Sequence, residues 1–142
     1  YGALVDHFQY EVYKNYDMTP EERRLTWRKL EKMYMPYKKY DEDNFLEEGG
    51  FWLRQGHIYE VPFYYIDYTL AQVCAFQYWE LSQKDFDKAW ESYLKLSRQG
   101  GSKSFVELIN SASLKNPFEV GSINQIMDPI KAYLNNVDDL SL

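Results

Sequence analysis

Cysteine is nearly absent: Cys74 stands alone in 142 residues, so no intrachain disulfide can brace the fold. Histidine is almost as scarce, with only His7 and His57. A zinc site draws three or four ligands from closely spaced His, Cys and carboxylate side chains, and no such grouping is recognisable here. Asp6-His7 with Glu11 one helical turn on comes nearest, but two carboxylates and one His on a surface helix are ordinarily just solvated, so the expected metal ligands are none. Cys74 lies in an apolar helical stretch, where a thiol behaves as an inert small hydrophobe rather than a nucleophile. Long apolar runs are missing too. The uncharged stretch from Tyr68 to Trp79 contains Gln72 and Gln77 and falls short of the roughly 18 apolar residues that argue a membrane span. There is no excess of positive charge: 16 basic against 22 acidic side chains leave a net charge of −6. The Lys and Arg are scattered, which excludes a phosphate-reading surface and so nucleic acid as a partner. The opening Tyr1-Gly2-Ala3-Leu4-Val5-Asp6 has neither an initiator Met nor a basic region followed by an apolar stretch. It reads as a chain that begins within a longer protein, and with one unpaired Cys and no export signal the expected location is cytoplasmic.

What the chain has in abundance is aromatic residues. Its 14 Tyr outnumber the 8 Phe and 4 Trp. Each buried phenol must find a hydrogen-bond partner, so a tyrosine-rich interior points to wet, polar-lined space rather than a dry core.

Hydrophobic spacing predicts an all-α fold of about six helices within one domain's length of chain. Val5, Phe8, Val12 and Tyr13 mark the first helix, over Gly2–Tyr16. Thr19-Pro20-Glu21-Glu22 is a capping box with Pro in the first turn, which starts a second helix whose expected buried stripe is Trp27, Leu30, Met33 and Tyr34. Residues 37–50 read as a surface connection, and the local structure of 51–60 is left open. Pro62 then fits the first turn of a helix over Phe63–Leu81, apolar on every side and expected to be buried all round. Such a helix needs more cover than five modest neighbours give, a second sign of a missing portion. Ser82 is the expected cap of a helix with Phe86, Ala89, Trp90, Tyr93 and Leu94 inward, ended by Gly100-Gly101. Ser102 is expected to open a short helix with Phe105, Leu108 and Ile109 inward. Ser122 with Gln125 repeats the capping pattern before Ile123, Ile126, Met127, Ile130 and Leu134, with Pro129 either kinking that helix or restarting it at Asp128.

Chemistry concentrates between His57 and Tyr68. On a helix, Tyr64 at zero places Tyr68 near about 40° and Tyr65 near about 100°, with Gln72 and Ala75 continuing the same arc. Phenols with a pKa of about 10 are neutral donors at pH 7, suited to hold a carbonyl and the alkoxide that develops from it. His57 adds a further donor. Three tyrosines on one face equally fit a packing role with tethered hydroxyls.

The run from Phe51 to Gln72, which reads Phe51-Trp52-Leu53-Arg54-Gln55-Gly56-His57-Ile58-Tyr59-Glu60-Val61-Pro62-Phe63-Tyr64-Tyr65-Ile66-Asp67-Tyr68 and onward, resembles the C-terminal part of the M3-family oligoendopeptidases of the F type. Gln99-Gly100-Gly101-Ser102, Asn116-Pro117-Phe118 and the upstream Asp6-His7-Phe8-Gln9-Tyr10-Glu11 resemble it in the same order, so nearly the whole chain is covered. The resemblance implies a zinc metallopeptidase for short peptides, helical throughout, with a deep substrate channel. It implies catalytic, oxyanion-stabilising roles for Tyr65 and Tyr68 and substrate-binding roles for His57 and Tyr64. The family's zinc motif, His-Glu-x-x-His, is nowhere in this chain. On this reading residues 1–142 are a C-terminal helical segment of a catalytic domain, inactive alone, whose partners are short peptides and the rest of that domain. Zinc would be bound by the upstream part of the parent enzyme and not by this chain, with neither nucleic acid nor membrane as partner. The alternative is a stand-alone helical module that binds peptide or serves only structure.

Overall fold

Thr19 does at the second helix what its sequence demands. In the computed structural model, which describes residues 1–138, the Thr19 hydroxyl accepts from the Glu22 N–H while the Glu22 carboxylate accepts from the Thr19 N–H at 2.7 Å. Two donors that the helix start leaves unpaired are satisfied reciprocally. The described residues form helices only, which makes the fold all-α. They gather into two compact units, Tyr1–Thr69 and the part from Leu70 onward.

The first unit contains α1 (Gly2–Lys14), α2 (Pro20–Tyr34), the single turn α3 (Asn44–Glu47), a 3-10 segment (Gly50–Arg54) and the single turn α4 (His57–Glu60). The start of α5 (Ile66–Lys84) belongs to it as well. Its core is Leu4, Val5, Phe8, Trp27, Leu30 and Trp52, with the Phe8 ring edge-on to Trp27 at 5.2 Å between centroids. Beside this core lies a buried charge. Glu31 is fully buried and receives Arg28 at 3.1 Å, Lys38 at 3.1 Å and the Tyr40 hydroxyl at 2.5 Å. Arg28 in turn reaches Glu47 of α3 at 2.6 Å.

The second unit contains the remainder of α5, then α6 (Phe86–Gln99), α7 (Phe105–Ser111) and α8 (Ser122–Asn135). Ile109, Ala112 and Leu114 form its core against Cys74, Tyr78, Leu96 and Phe105. The buried Gln77 amide clamps the Lys115 backbone, accepting from its N–H at 2.7 Å and donating to its carbonyl at 3.2 Å.

Several local expectations are corrected. Residues 37–50 are more than a surface connection, since they hold α3, capped by the Asp43 carboxylate on the Leu46 N–H at 3.0 Å. The tyrosine-bearing helix begins at Ile66 rather than Phe63, because Pro62 sits in a turn where Phe63 takes the left-handed conformation with φ 61°. Nor is α5 buried all round: within the described residues only Val73 and Gln77 are buried along it. Asp85, not Ser82, caps α6, its carboxylate accepting from the Lys88 N–H at 3.1 Å, while the Ser82 hydroxyl turns back to the Trp79 carbonyl at 2.7 Å. Ser104 caps α7 in a capping box with Glu107, displacing Ser102. Gly121, left-handed at φ 81°, precedes α8, and the Ser122 hydroxyl donates to Glu119 instead of capping. Pro129 neither ends nor restarts α8, which runs through it. The apolar stripes are real but only partly covered: Trp27, Leu30, Ala89, Ile109 and Ile126 are buried, whereas Met33, Tyr34, Phe86, Trp90, Tyr93, Ile123 and Leu134 are exposed.

Candidate active site

Two hydrogen bonds of the backbone place the histidine. Gln55 N–H donates to Trp52 at 2.9 Å and Ile58 N–H donates to Gln55 at 3.1 Å, so the chain folds back on itself between a buried Trp52 and an Ile58 that packs on the same core. His57 is the first residue of α4 and is half-buried.

A tight turn places the tyrosines. Tyr64 N–H donates to the Val61 carbonyl at 3.2 Å, with Pro62 and the left-handed Phe63 between them. This is the type II pattern, in which Pro supplies the first central residue and the second needs positive φ. Phenylalanine in that position is strained by about 1–2 kcal/mol. The strain is held by Gln9, a buried α1 residue whose side-chain carbonyl accepts from the Phe63 N–H at 2.9 Å, and by the Phe63 ring against Tyr13 at 5.1 Å. Leaving this turn, Tyr64 and Tyr65 precede α5 and Tyr68 lies in its first turn.

The three phenols surround one imidazole. The His57 ring stands edge-on to Tyr65 at 4.8 Å and to Tyr68 at 5.9 Å, and lies parallel to Tyr64 at 6.5 Å. Tyr68 contacts Tyr64 at 5.4 Å and Tyr65 at 5.5 Å. All four residues singled out from the sequence are therefore in one cluster within the first unit. Their convergence comes from the turn, since Tyr64 and Tyr65 are outside the helix on whose wheel they were placed. Gln72 and Ala75 fall in the second unit, where they border a groove with Phe76, Trp79, Ile130 and Tyr133.

The electrostatics favour the neutral form of the Tyr68 hydroxyl. Tyr68 is pushed above the ordinary phenol value by its polar contact with the Tyr64 hydroxyl first, with Tyr65 and Asp67 adding to it. Tyr1, whose ring meets Tyr65 edge-on at 5.7 Å, is pushed up to about 12, by burial first and then by Tyr65.

Three contributors went unnoticed in the sequence: Gln9, Gln55 and Tyr1. The Tyr1 hydroxyl donates to the Gln55 side-chain carbonyl at 2.9 Å, and the Gln55 amide nitrogen lies 2.7 Å from His57 Nδ1. Pro62 followed by a tight return was the one local signal available, and it marks the turn rather than these partners. Elsewhere, His7 is engaged by Glu11 at 3.5 Å and by the Tyr34 hydroxyl at 3.1 Å. Among the described residues no group of three His, Cys, Asp or Glu side chains could hold a metal ion. The half-buried Cys74 thiol is pushed up by burial.

Three solved structures are similar to this chain over 98–100% of its length. A protein assigned as oligoendopeptidase F is 54% identical over the whole chain, with a TM-score of 0.95. PZ peptidase A, solved with an inhibitor, is 54% identical over 98% of the chain at a TM-score of 0.93. A further protein assigned as oligoendopeptidase F, from Bacillus anthracis str. Ames, is 42% identical over the full chain at a TM-score of 0.76. The chain spans 25% of the first two of these proteins and 22% of the third. No protein-family profile and no curated protein sequence matches it.

Proposed function

Because the chain belongs to the oligoendopeptidase F family, we propose that it forms the C-terminal part of the catalytic domain of a metallo-oligopeptidase that hydrolyses short peptides. The observation that carries this reading is the ring of three phenols around His57, at centroid distances of 4.8, 5.9 and 6.5 Å. Peptide hydrolysis turns a planar carbonyl into a tetrahedral oxyanion, and donors that strengthen as that charge develops lower the barrier. A neutral phenol held in place is such a donor, and it binds the carbonyl weakly before the charge appears. Tyr68 and Tyr65 are assigned to the oxyanion, while His57 and Tyr64 hold the substrate backbone. Tyr68 is exposed and kept protonated by its neighbours, which suits a group that must meet substrate and give a hydrogen bond.

Zinc, which the family resemblance brings with it, does not fit the donors of this chain. No three ligating side chains converge among the described residues. The reading therefore leaves the metal to the rest of the parent enzyme and expects the 142-residue chain to be inactive alone.

Substitution in the parent enzyme tests the assignment. Tyr68→Phe keeps the ring contacts and removes the hydroxyl, so turnover should fall on the order of 10²–10³-fold with little change in KM, as for loss of one oxyanion donor. Unchanged turnover would remove Tyr68 from the mechanism, and the same measurement on Tyr65→Phe decides which phenol is the main donor.

A further inference from the structure

A histidine that is to donate a hydrogen bond while neutral must carry its proton on the outward nitrogen, and which nitrogen that is depends on what the other one meets. The His57 Nδ1 meets the Gln55 side-chain nitrogen at 2.7 Å. An amide NH₂ only donates, so a bond at this position requires an unprotonated Nδ1. Among the described residues no hydrogen bond occupies Nε2.

The orientation of the amide decides the matter. Were Gln55 turned about, its carbonyl would accept from Nδ1–H and its NH₂ would face Tyr1, giving the opposite tautomer. The Tyr1 hydroxyl favours the first orientation. It finds its acceptor in the Gln55 carbonyl at 2.9 Å and has no other acceptor among the described residues. Reversing the amide would forfeit this direct acceptor, turning the NH₂ toward the phenol oxygen and leaving the proton of Tyr1, 38% exposed on a ring packed edge-on against Trp27, Phe51 and Tyr65, to water. The Gln55 backbone is itself fixed by bonds to Trp52 and Ile58 at 2.9 and 3.1 Å, so the side chain is presented from a rigid base.

We propose that Gln55, oriented by the Tyr1 hydroxyl, is a positioning residue that holds neutral His57 in its Nε2–H tautomer and so leaves Nε2–H free as a fixed donor beside the three phenols. The tautomer assignment stands on this geometry, and its catalytic consequence rests on the peptidase reading above.

The test is the imidazole ¹⁵N spectrum of the 142-residue chain, in which His7 is the sole other histidine and serves as an internal control. At about pH 9, well above the ordinary imidazole value, His57 should show Nε2 as the protonated nitrogen and Nδ1 as the bare one. Gln55→Met keeps the length and removes the donor, and should leave a mixture of tautomers. Gln55→Glu keeps the shape and supplies only acceptors, and should invert the preference to Nδ1–H even if the Met variant fails to fold. A wild-type His57 protonated at Nδ1, or a tautomer unchanged in the folded Gln55 variants, overturns the proposal. In the parent enzyme Gln55→Glu should lower kcat/KM by roughly ten- to a hundredfold, the scale of one misdirected hydrogen bond. Tautomer inversion without kinetic loss would refute the role of His57 in catalysis and leave the positioning inference standing. Kinetic loss without inversion would refute the positioning inference.

Discussion

The three phenols around His57 carry the same hydroxyl into different surroundings. Tyr65 is half-buried against the core and Tyr1, whereas Tyr64 and Tyr68 stand 45% and 52% exposed. For Tyr68 the proximity of the Tyr64 hydroxyl raises the phenol pKa, so the neutral donor persists to higher pH than an isolated tyrosine would allow. If its hydroxyl serves the oxyanion, turnover by the parent enzyme should hold through the ordinary phenol value of about 10 and fall only above it. A pH–rate profile with an alkaline limb well below 10 that disappears in Tyr68→Phe would contradict this. Glu31 illustrates the opposite situation, a charge with no access to water. Its two oxygens serve Arg28, Lys38 and Tyr40, and the Tyr40 phenol is pushed far up by burial and then by this carboxylate. Glu31→Ala removes the acceptor and leaves the 8%-exposed Arg28 with only Glu47. Breaking a buried pair from one side typically costs about 3–5 kcal/mol, so urea unfolding of the 142-residue chain should shift by that amount. A loss under about 1 kcal/mol would show that the cluster is solvated in solution.

At the scale of elements, the first unit depends on one close approach. Gly49 joins α3 to the 3-10 segment with φ 95°, and a Cβ there would stand 2.0 Å from the Arg24 carbonyl oxygen of α2. Both the left-handed backbone and the contact exclude a side chain, and the obstacle is backbone that cannot swing aside. Gly49→Ala should therefore cost roughly 2–5 kcal/mol, combining left-handed strain with overpacking. Thr19→Ala, which removes only a cap at the exposed start of α2, should cost about 0.5–2 kcal/mol. Denaturant melts of the two variants should rank in that order, and the reverse ranking would mean that the junction yields easily. The same contrast explains what could be read from the sequence. Thr19 and Glu22 announce their cap because partners three residues apart are visible in the chain, as are the 3.6-residue stripes that made the fold all-α. Asp85 and Ser104 were passed over for nearby serines, since several residues of the right chemistry compete and only backbone conformation selects one. Trp90 and Tyr93 were expected inside because periodicity shows which face is apolar, not whether anything covers it. The His57 cluster was legible as a set of residues. Its assembly was not, because the Phe63 turn is held by Gln9 and the Gln55 amide by Tyr1, each across 54 positions of sequence.

At the scale of the molecule, the question is what those uncovered faces imply about activity. Phe86, Trp90 and Phe118 are 66%, 51% and 64% exposed, and within the second unit Tyr78, Ser82, Phe86, Ala89, Trp90 and Tyr93 border a single apolar groove. Large apolar groups left in water forgo stabilisation of about 25 cal/mol per Å² that burial would give. No helix among the described residues is long and apolar enough to cross a membrane. Solved peptidases at 54% identity are about four times as long as this chain, which spans 25% of them. On the proposed reading the remaining three quarters supply both the metal and the second wall of the substrate channel, and the phenols around His57 act only when that wall is present. The 142-residue chain, purified alone, should then show no peptide hydrolysis above background. Addition of the remaining part of the parent enzyme as a separate polypeptide should restore turnover and shift the fluorescence of Trp90 as its face is covered. Trp90→Phe supplies the control for that signal. Hydrolysis by the 142-residue chain alone, at a rate that Tyr68→Phe reduces, would show that the phenol cluster needs no second wall and would overturn the division of labour argued here.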